Sequence, residues 1–338
     1  MSKGTFHPSK FLPREVFSKV TELRVSHPGV PLALSRKRTR RKRLTNDGKL
    51  TLLAADHPAR MITKIGGEEL RMGERREFLA GVARVLACTP FDGVLGTADV
   101  VDDVFYLEYI LAGKRSVVDG KLLIGSVNRG GLAGTAFDLD DFPTGYDVDG
   151  IEKFGLDGAK FLLRIDAQDA DSAKTLRYCA EVVLECNRRE IPVFLEPLPV
   201  TRKDGRLITE KDAAKLVKLV GVASALGNSS TRTWLKLPYC EGFEKVAAAT
   251  SLPILLLGGE ASGDVAGLLG EIESAMKAGP NVRGVMLGRN LLYPPGGDPL
   301  PLAMAIQSIV HQGMGAKAAE KSMEKWTGKD LNLFSSND

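Results

Sequence analysis

Eight short apolar runs, with helical text in most of the gaps between them, limit what this chain can fold into more than any other feature. They read KLTLLAAD (49–56), FDGVLGTAD (91–99), GKLLIGSVN (120–128), LDGAKFLLRID (156–166), EIPVFLEPLP (190–199), RTWLKLPYC (232–240), LPILLLGGE (252–260) and VRGVMLGRN (282–290). The segments 73–87, 169–189, 209–227 and 262–279 carry apolar residues at three-to-four spacing, the helical period. Thr209 and Ser262 suit helix starts, and Gly227 and Gly279 suit helix stops. Residues 129–155, rich in Gly and Asp, read as a long loop before a short helix near 148–154.

Runs apolar on both faces, alternating with helices, predict a parallel sheet covered on each side. Eight such units over roughly 240 residues fit a closed (β/α)8 barrel, an α/β fold, better than an open doubly wound sheet. The G-x-G-x-x-G that a dinucleotide fold places after an early strand is absent. PLPLAMAIQSIVHQG (299–313) is the expected closing helix. The resulting division is an N-terminal extension over 1–47, a barrel over 48–315 and a C-terminal tail over 316–338.

A composition of 43% hydrophobic and 26% charged residues in 338 supports one sizeable core. No run approaches the roughly 18 apolar residues of a membrane span. Cys88, Cys179, Cys186 and Cys240 lack metal-ligand spacing and are expected as free thiols, which with no signal peptide in view gives a cytoplasmic expectation. Four histidines leave no basis for a multi-histidine metal site. The segment SRKRTRRKR (35–43) packs seven basic residues into nine. Without interleaved aromatics or a Cys/His module it reads as a solvated arm rather than a nucleic-acid site.

Barrel enzymes carry their chemistry at the C-terminal strand ends. The first run ends in Asp56, His57 and Arg60; the fourth offers Lys160 and Arg164, the fifth Glu196 and the sixth Lys236. A closed barrel has no edge on which a charged strand residue can be shed to solvent. Lys160, Glu196 and Lys236 are therefore expected to point inward, where two amines and two carboxylates offset each other's burial. Lys236, between Leu235 and Leu237 and beside Trp234, is the better nucleophile, because desolvation and a neighbouring cation keep part of an amine neutral. Lys160 would supply that cation, and Glu196 or Asp56 would move protons. Gly258-Gly259 and Gly288-Arg289 end the last two runs and suggest a cradle for phosphate. His57 suits either a polar contact to substrate or a satisfied structural role. Tyr146 and Asp147 are placed within reach of the mouth, Cys240 is a buried thiol, and His7, His27 and His311 show no companions.

With these residues in order, the chain resembles the class I (Schiff-base) aldolase superfamily of phosphosugar barrels over roughly 48–312. DGAKFLLRID, PVFLEPLP and TWLKLPY are similar to the tagatose-bisphosphate aldolase branch. LLAADHPAR and GVMLGRNLL are similar to the archaeal-type fructose-bisphosphate and deoxyribose-phosphate aldolases. The resemblance implies an imine at Lys236, with Asp56 positioning it and Lys160 contacting substrate hydroxyls or tuning Lys236. It further implies Glu196 as acid/base at the C3–C4 bond and Arg289 with nearby backbone on the phosphate. DHPAR and Arg164 depart from the commoner relatives, and Arg60 and Arg164 could meet a second anion. A substrate such as 5-dehydro-2-deoxyphosphogluconate would suit that charge. The reaction expected is reversible cleavage of a phosphorylated ketose or keto-sugar acid to dihydroxyacetone phosphate and an aldehyde, with no cofactor or metal. A deoxyribose-phosphate-type aldolase forming an acetaldehyde imine is the alternative, and a non-catalytic sugar-phosphate-binding protein is the alternative of another class. The resemblance also implies a homo-oligomer.

Overall fold

The computed structural model describes residues 4–259, 261 and 263–334. Eight parallel strands close into a barrel: β1 (Leu50–Ala55), β2 (Gly93–Gly96), β3 (Leu122–Ser126), β4 (Gly158–Ile165), β5 (Val193–Lys203), β7 (Thr233–Pro238), β8 (Ile254–Leu257) and β9 (Val282–Leu287). Each pairs in parallel with its neighbours, and β1 pairs with β9 to complete the ring. These are the eight runs read from the sequence, so the expected (β/α)8 barrel is present. The additional strand β6 (Arg206–Thr209) runs antiparallel to an extended β5 and forms a hairpin on the rim.

Helices Arg75–Cys88, Asp171–Arg188, Ala213–Ser224, Val265–Ala278 and Pro299–Gln312 match the helical text. Two cap expectations differ. Thr209 ends β6, and the following helix starts at Ala213 with Asp212 accepting from Lys215 N at 2.9 Å. The helix at Val265 is capped by Asp264, which accepts from Gly267 N at 2.8 Å, and Ser262 lies outside the described residues. Both helices begin where a carboxylate can take a free N–H of the first turn.

Strand parity sorts the interior. Leu50, Leu52, Ala54, Leu95, Leu122, Ile124, Phe194, Leu255 and Met286 fill the lower barrel as one apolar cluster. Alternate residues along each strand share a face, so the next inward positions upward are Asp56, Ser126 and Glu196. The outward residues pack against the helices in the main core.

The basic segment is only in part the solvated arm that its composition suggests: Arg36, Lys37, Lys42 and Arg43 are exposed, but three of its arginines are docked. Arg38 is fully buried and donates to Asp157 at 2.7 Å and to Lys121 O at 2.9 Å; Arg40 joins the same Asp157, and Arg41 meets Asp92 at 2.7 Å. These partners stand just before β2, β3 and β4, so the segment straps across the N-terminal end of the barrel. His311, which shows no companion in sequence, lies at the same end with ring nitrogens 2.9 Å from Asp47 and 3.1 Å from Asp92. Burial alone would lower its pKa, but the two carboxylates outweigh this and raise it. A raised folded-state value adds stability that is complete below the unfolded pKa and disappears as pH rises through the folded one. His311→Gln is therefore expected to cost about 1–2 kcal/mol at pH 6, and less at pH 9, in urea unfolding at the two pH values.

Candidate active site

The charged residues singled out from the sequence converge above the apolar floor of the barrel. Glu196 Oε2 accepts from Lys160 Nζ at 2.6 Å and from Lys236 Nζ at 3.1 Å. Lys160 Nζ also lies 3.7 Å from Asp56 Oδ2. Ser126 donates its hydroxyl to the same carboxylate oxygen at 3.1 Å. In the ladders Ser126 stands opposite Lys160, Glu196 opposite Leu162 and Lys236 opposite Leu255. Lys160 is 1% exposed and Lys236 4%.

Burial pushes both amines below the ordinary lysine value. Arg129 adds to the lowering at Lys160, and Glu196 opposes it at both. Burial would raise Glu196, but Lys160 and Lys236 hold it far below the usual carboxylate range. The drop is larger at Lys160, where Arg129, itself paired with Asp56, adds to burial. Lys160 sits between two carboxylates, whereas Lys236 has one and is nearer the opening, with 6% of its side chain exposed against 1%.

Arg129 is a member of the group that the sequence reading missed. Its guanidinium pairs with Asp56 Oδ2, and its Nε donates to Asp56 O at 3.1 Å. Burial lowers its pKa to about 10. The signal was present in Asn128-Arg129-Gly130-Gly131, a polar strand end directly after β3. Asn128 is also functional in packing: its amide bonds Leu162 N and Leu162 O, both at 2.7 Å, and so bridges the β3 end to β4.

Arg60 and Arg164 are brought to the mouth but face protein carboxylates. Asp138 Oδ1 accepts from Arg60 at 2.9 Å and from Arg164 at 2.6 Å, and Asp141 lies 4.0 and 3.5 Å from the two. Burial and the neighbouring Arg164 lower Arg60 to about 10.

On the opposite side, the β8 and β9 ends stand together. Asn290 donates to Gly258 O, and Gly259 adopts φ +68°, a left-handed turn that suits glycine. Gly288 leaves space that His57 fills, since a Cβ there would lie 2.3 Å from His57 Cε1. Burial first, then Arg289 and Lys236, keep His57 well below its ordinary pKa and neutral, and its Nδ1 has no hydrogen-bond partner. Arg289 follows in a short helical turn, Arg289–Leu292, and is close enough to act on both His57 and Lys236.

Two placements differ from expectation. Tyr146 is in the outer layer rather than the mouth, packed on Phe154 at 6.2 Å and close to Gly125, whose missing side chain makes the room. Asp147 caps the helix Val148–Lys153 by accepting from Gly150 N at 2.6 Å. Cys240 is buried, and the four cysteines are all free. Among the described residues, no group of three or more His, Cys, Asp or Glu side chains is placed to hold a metal ion, and no helix is long and apolar enough to cross a membrane.

A family model described as Cgl0159-like matches residues 48–310. The crystal structure of Cgl0159 from Corynebacterium glutamicum is 38% identical and superposes with a TM-score of 0.83, covering 89% of this chain and 98% of that one. An archaeal fructose 1,6-bisphosphate aldolase, 18% identical, shares the fold with a TM-score of 0.56 over 79% of this chain and 95% of its own. Similarity also extends to an uncharacterized aldolase of Saccharolobus solfataricus, 31% identical over 41% of this chain and 49% of that protein. The 2-amino-3,7-dideoxy-D-threo-hept-6-ulosonate synthase of Halobacterium salinarum is 29% identical over 51% of this chain and 60% of its own. The chain thus spans about half the length of the curated relatives it matches.

Proposed function

This chain belongs to the Cgl0159-like family, and from its site we propose that it is a class I aldolase using Lys236 as the imine-forming residue. The observation that carries this is one buried carboxylate, Glu196, bonded to two buried amines above the apolar floor of the barrel. Such an arrangement is costly as mere packing. It is well suited to keeping one lysine protonated and the other available as a base and nucleophile.

Numbered as for a ketose 1-phosphate, the neutral Lys236 amine attacks the C2 ketone and loss of water leaves a protonated imine; in 5-dehydro-2-deoxyphosphogluconate the same ketone is C5, the hydroxyl that gives up its proton is on C3 and the carbon protonated is C4. Removal of the C4 hydroxyl proton sends the C3–C4 electrons toward the iminium, which becomes an enamine as the aldehyde departs. We assign to Glu196, bonded to both amines, the taking and returning of that proton. Asp56, held by Arg129 and Ser126, orients Lys160 and the imine. Protonation at C3 and attack of water then free dihydroxyacetone phosphate. Gly258, Gly259, Gly288, Arg289 and His57 form the end that takes the phosphate, with the neutral His57 as a hydrogen-bonding wall.

Charge supports a keto-sugar acid as the substrate. With Lys236 neutral, Arg60, Arg129, Lys160 and Arg164 balance Asp56, Asp138, Asp141 and Glu196, so that formation of the iminium at Lys236 leaves one positive charge in excess. The single carboxylate of 5-dehydro-2-deoxyphosphogluconate offsets that excess, with its phosphate at the β8–β9 end.

Borohydride reduction with dihydroxyacetone phosphate, followed by intact mass and peptide mapping, tests the assignment. A reduced three-carbon phosphate adduct on Lys236 is expected. An adduct with acetaldehyde alone would move the chemistry to a deoxyribose-phosphate type, and no adduct with either would remove the aldolase.

A further inference from the structure

The loop between β3 and the helix Val148–Lys153 is fixed across the mouth by buried charges that the proposed reaction does not use. Arg60 at the end of β1 and Arg164 at the end of β4 share Asp138 Oδ1, and each is 6% exposed. Arg60 Nε also donates to Gly131 O at 2.9 Å, and Arg164 donates to Asp138 O. The two carboxylates fold the loop on itself, with Asp141 Oδ1 accepting from Gly131 N at 3.0 Å and Asp138 Oδ2 from Gly134 N at 3.1 Å. Leu139 then packs with Leu162, Leu198 and Val200, roofing the β4–β5 side with a small apolar cluster.

Arginine forks are the groups expected to receive a second phosphate at this end. Here both forks already face protein carboxylates, Asp138 at hydrogen-bond distance and Asp141 at 3.5–4.0 Å, although Arg164 Nε itself has no hydrogen-bond partner. Turning them to a ligand would strand Asp138 and Asp141 in a buried setting. A phosphate carries roughly two negative charges at neutral pH, against the single positive charge in excess once the imine has formed.

We infer that the substrate carries one phosphate, and that Asp138 and Asp141 enforce this by occupying Arg60 and Arg164. The inference rests on the aldolase reading for its substrate class and names Asp138 and Asp141 as specificity-determining residues.

The test compares fructose 1-phosphate with fructose 1,6-bisphosphate, which share a donor half. In the native enzyme, kcat/KM is expected to favour the monophosphate by about tenfold or more; preference for the bisphosphate overturns the inference. In Asp138→Asn and Asp138→Asn/Asp141→Asn the ratio is expected to move at least about tenfold toward the bisphosphate, because the arginines are released. A loss of both activities with the ratio unchanged overturns the role given to the carboxylates, since structural damage alone would do that. Calorimetric affinities of the native protein for the two sugars give the same comparison without turnover or variants. Tighter monophosphate binding supports the inference and tighter bisphosphate binding overturns it. A failed dihydroxyacetone phosphate trap removes the aldolase reading by itself and leaves this binding comparison to decide on the anion count.

Discussion

Lys236→Met is expected to abolish the borohydride-trapped adduct and to lower kcat/KM by roughly 10⁴ or more, the scale on which loss of a covalent nucleophile acts. Methionine matches the length of the lysine stem and fits the same apolar wall, so the barrel should keep its stability. Glu196 would retain Lys160 at 2.6 Å and stay ionised. Lys160→Met provides the contrast. It leaves the nucleophile in place while removing the cation between Asp56 and Glu196, so the adduct is expected to persist. Turnover should fall by about 10²–10³, the range of a lost proton-transfer or electrostatic partner. Quenched-flow trapping beside steady-state rates separates the two effects. Equal loss of adduct in both variants would contradict separate roles for the amines.

The largest stability effect is expected at a residue far from the chemistry. Arg84, in the helix Arg75–Cys88, has a fully buried side chain that meets Asp298 at 3.0 and 2.9 Å through two nitrogens. It also donates to Lys329 O at 2.5 Å and to Asp330 O. Its guanidinium lies over the rings of Phe6 at 5.0 Å and Phe11 at 5.4 Å. One side chain thus binds the N-terminal residues, the cap of the closing helix and the C-terminal segment. Arg84→Met leaves Asp298 without its counter-ion and two carbonyls without a donor. About 3–5 kcal/mol is expected, the cost of breaking a buried pair by removing one partner. Thermal unfolding should show this as a fall on the order of 10 °C. Arg84→Lys, which keeps the charge and loses the fork, should fall between the two.

The sequence made the eight barrel strands legible because each is apolar on both faces, a pattern that few other settings require. The rim hairpin was not read, although its turn carries a local signal. Asp204 and Gly205 both take positive φ, as an Asp-Gly pair in a two-residue hairpin does. Helix Ala98–Leu111 was also passed over: Val100, Val101, Val104, Phe105 and Leu107 are all buried, which blurs the amphipathic stripe. In the site, Asp56, Lys160, Glu196 and Lys236 stood out as charges inside apolar runs. Arg129 did not, because it follows a strand rather than interrupting one. The pairing of Arg60 and Arg164 with Asp138 was beyond reach for another reason. Their partner lies in a loop 78 residues from one and 26 from the other, and no periodicity links them. The same holds for the arginines of the basic segment, whose charge was visible and whose partners were not.

That segment has a consequence for the order in which the molecule is made. Arg38 reaches acceptors 83, 117 and 119 residues further along the chain. During synthesis the arm therefore leaves the ribosome well before β3 and β4 exist to receive it. It must wait, charged and undocked, until the third and fourth strands have arrived. The buckle can close only once the chain has been made as far as Asp157, so it ties the start of the chain to its middle rather than to its nearest neighbours.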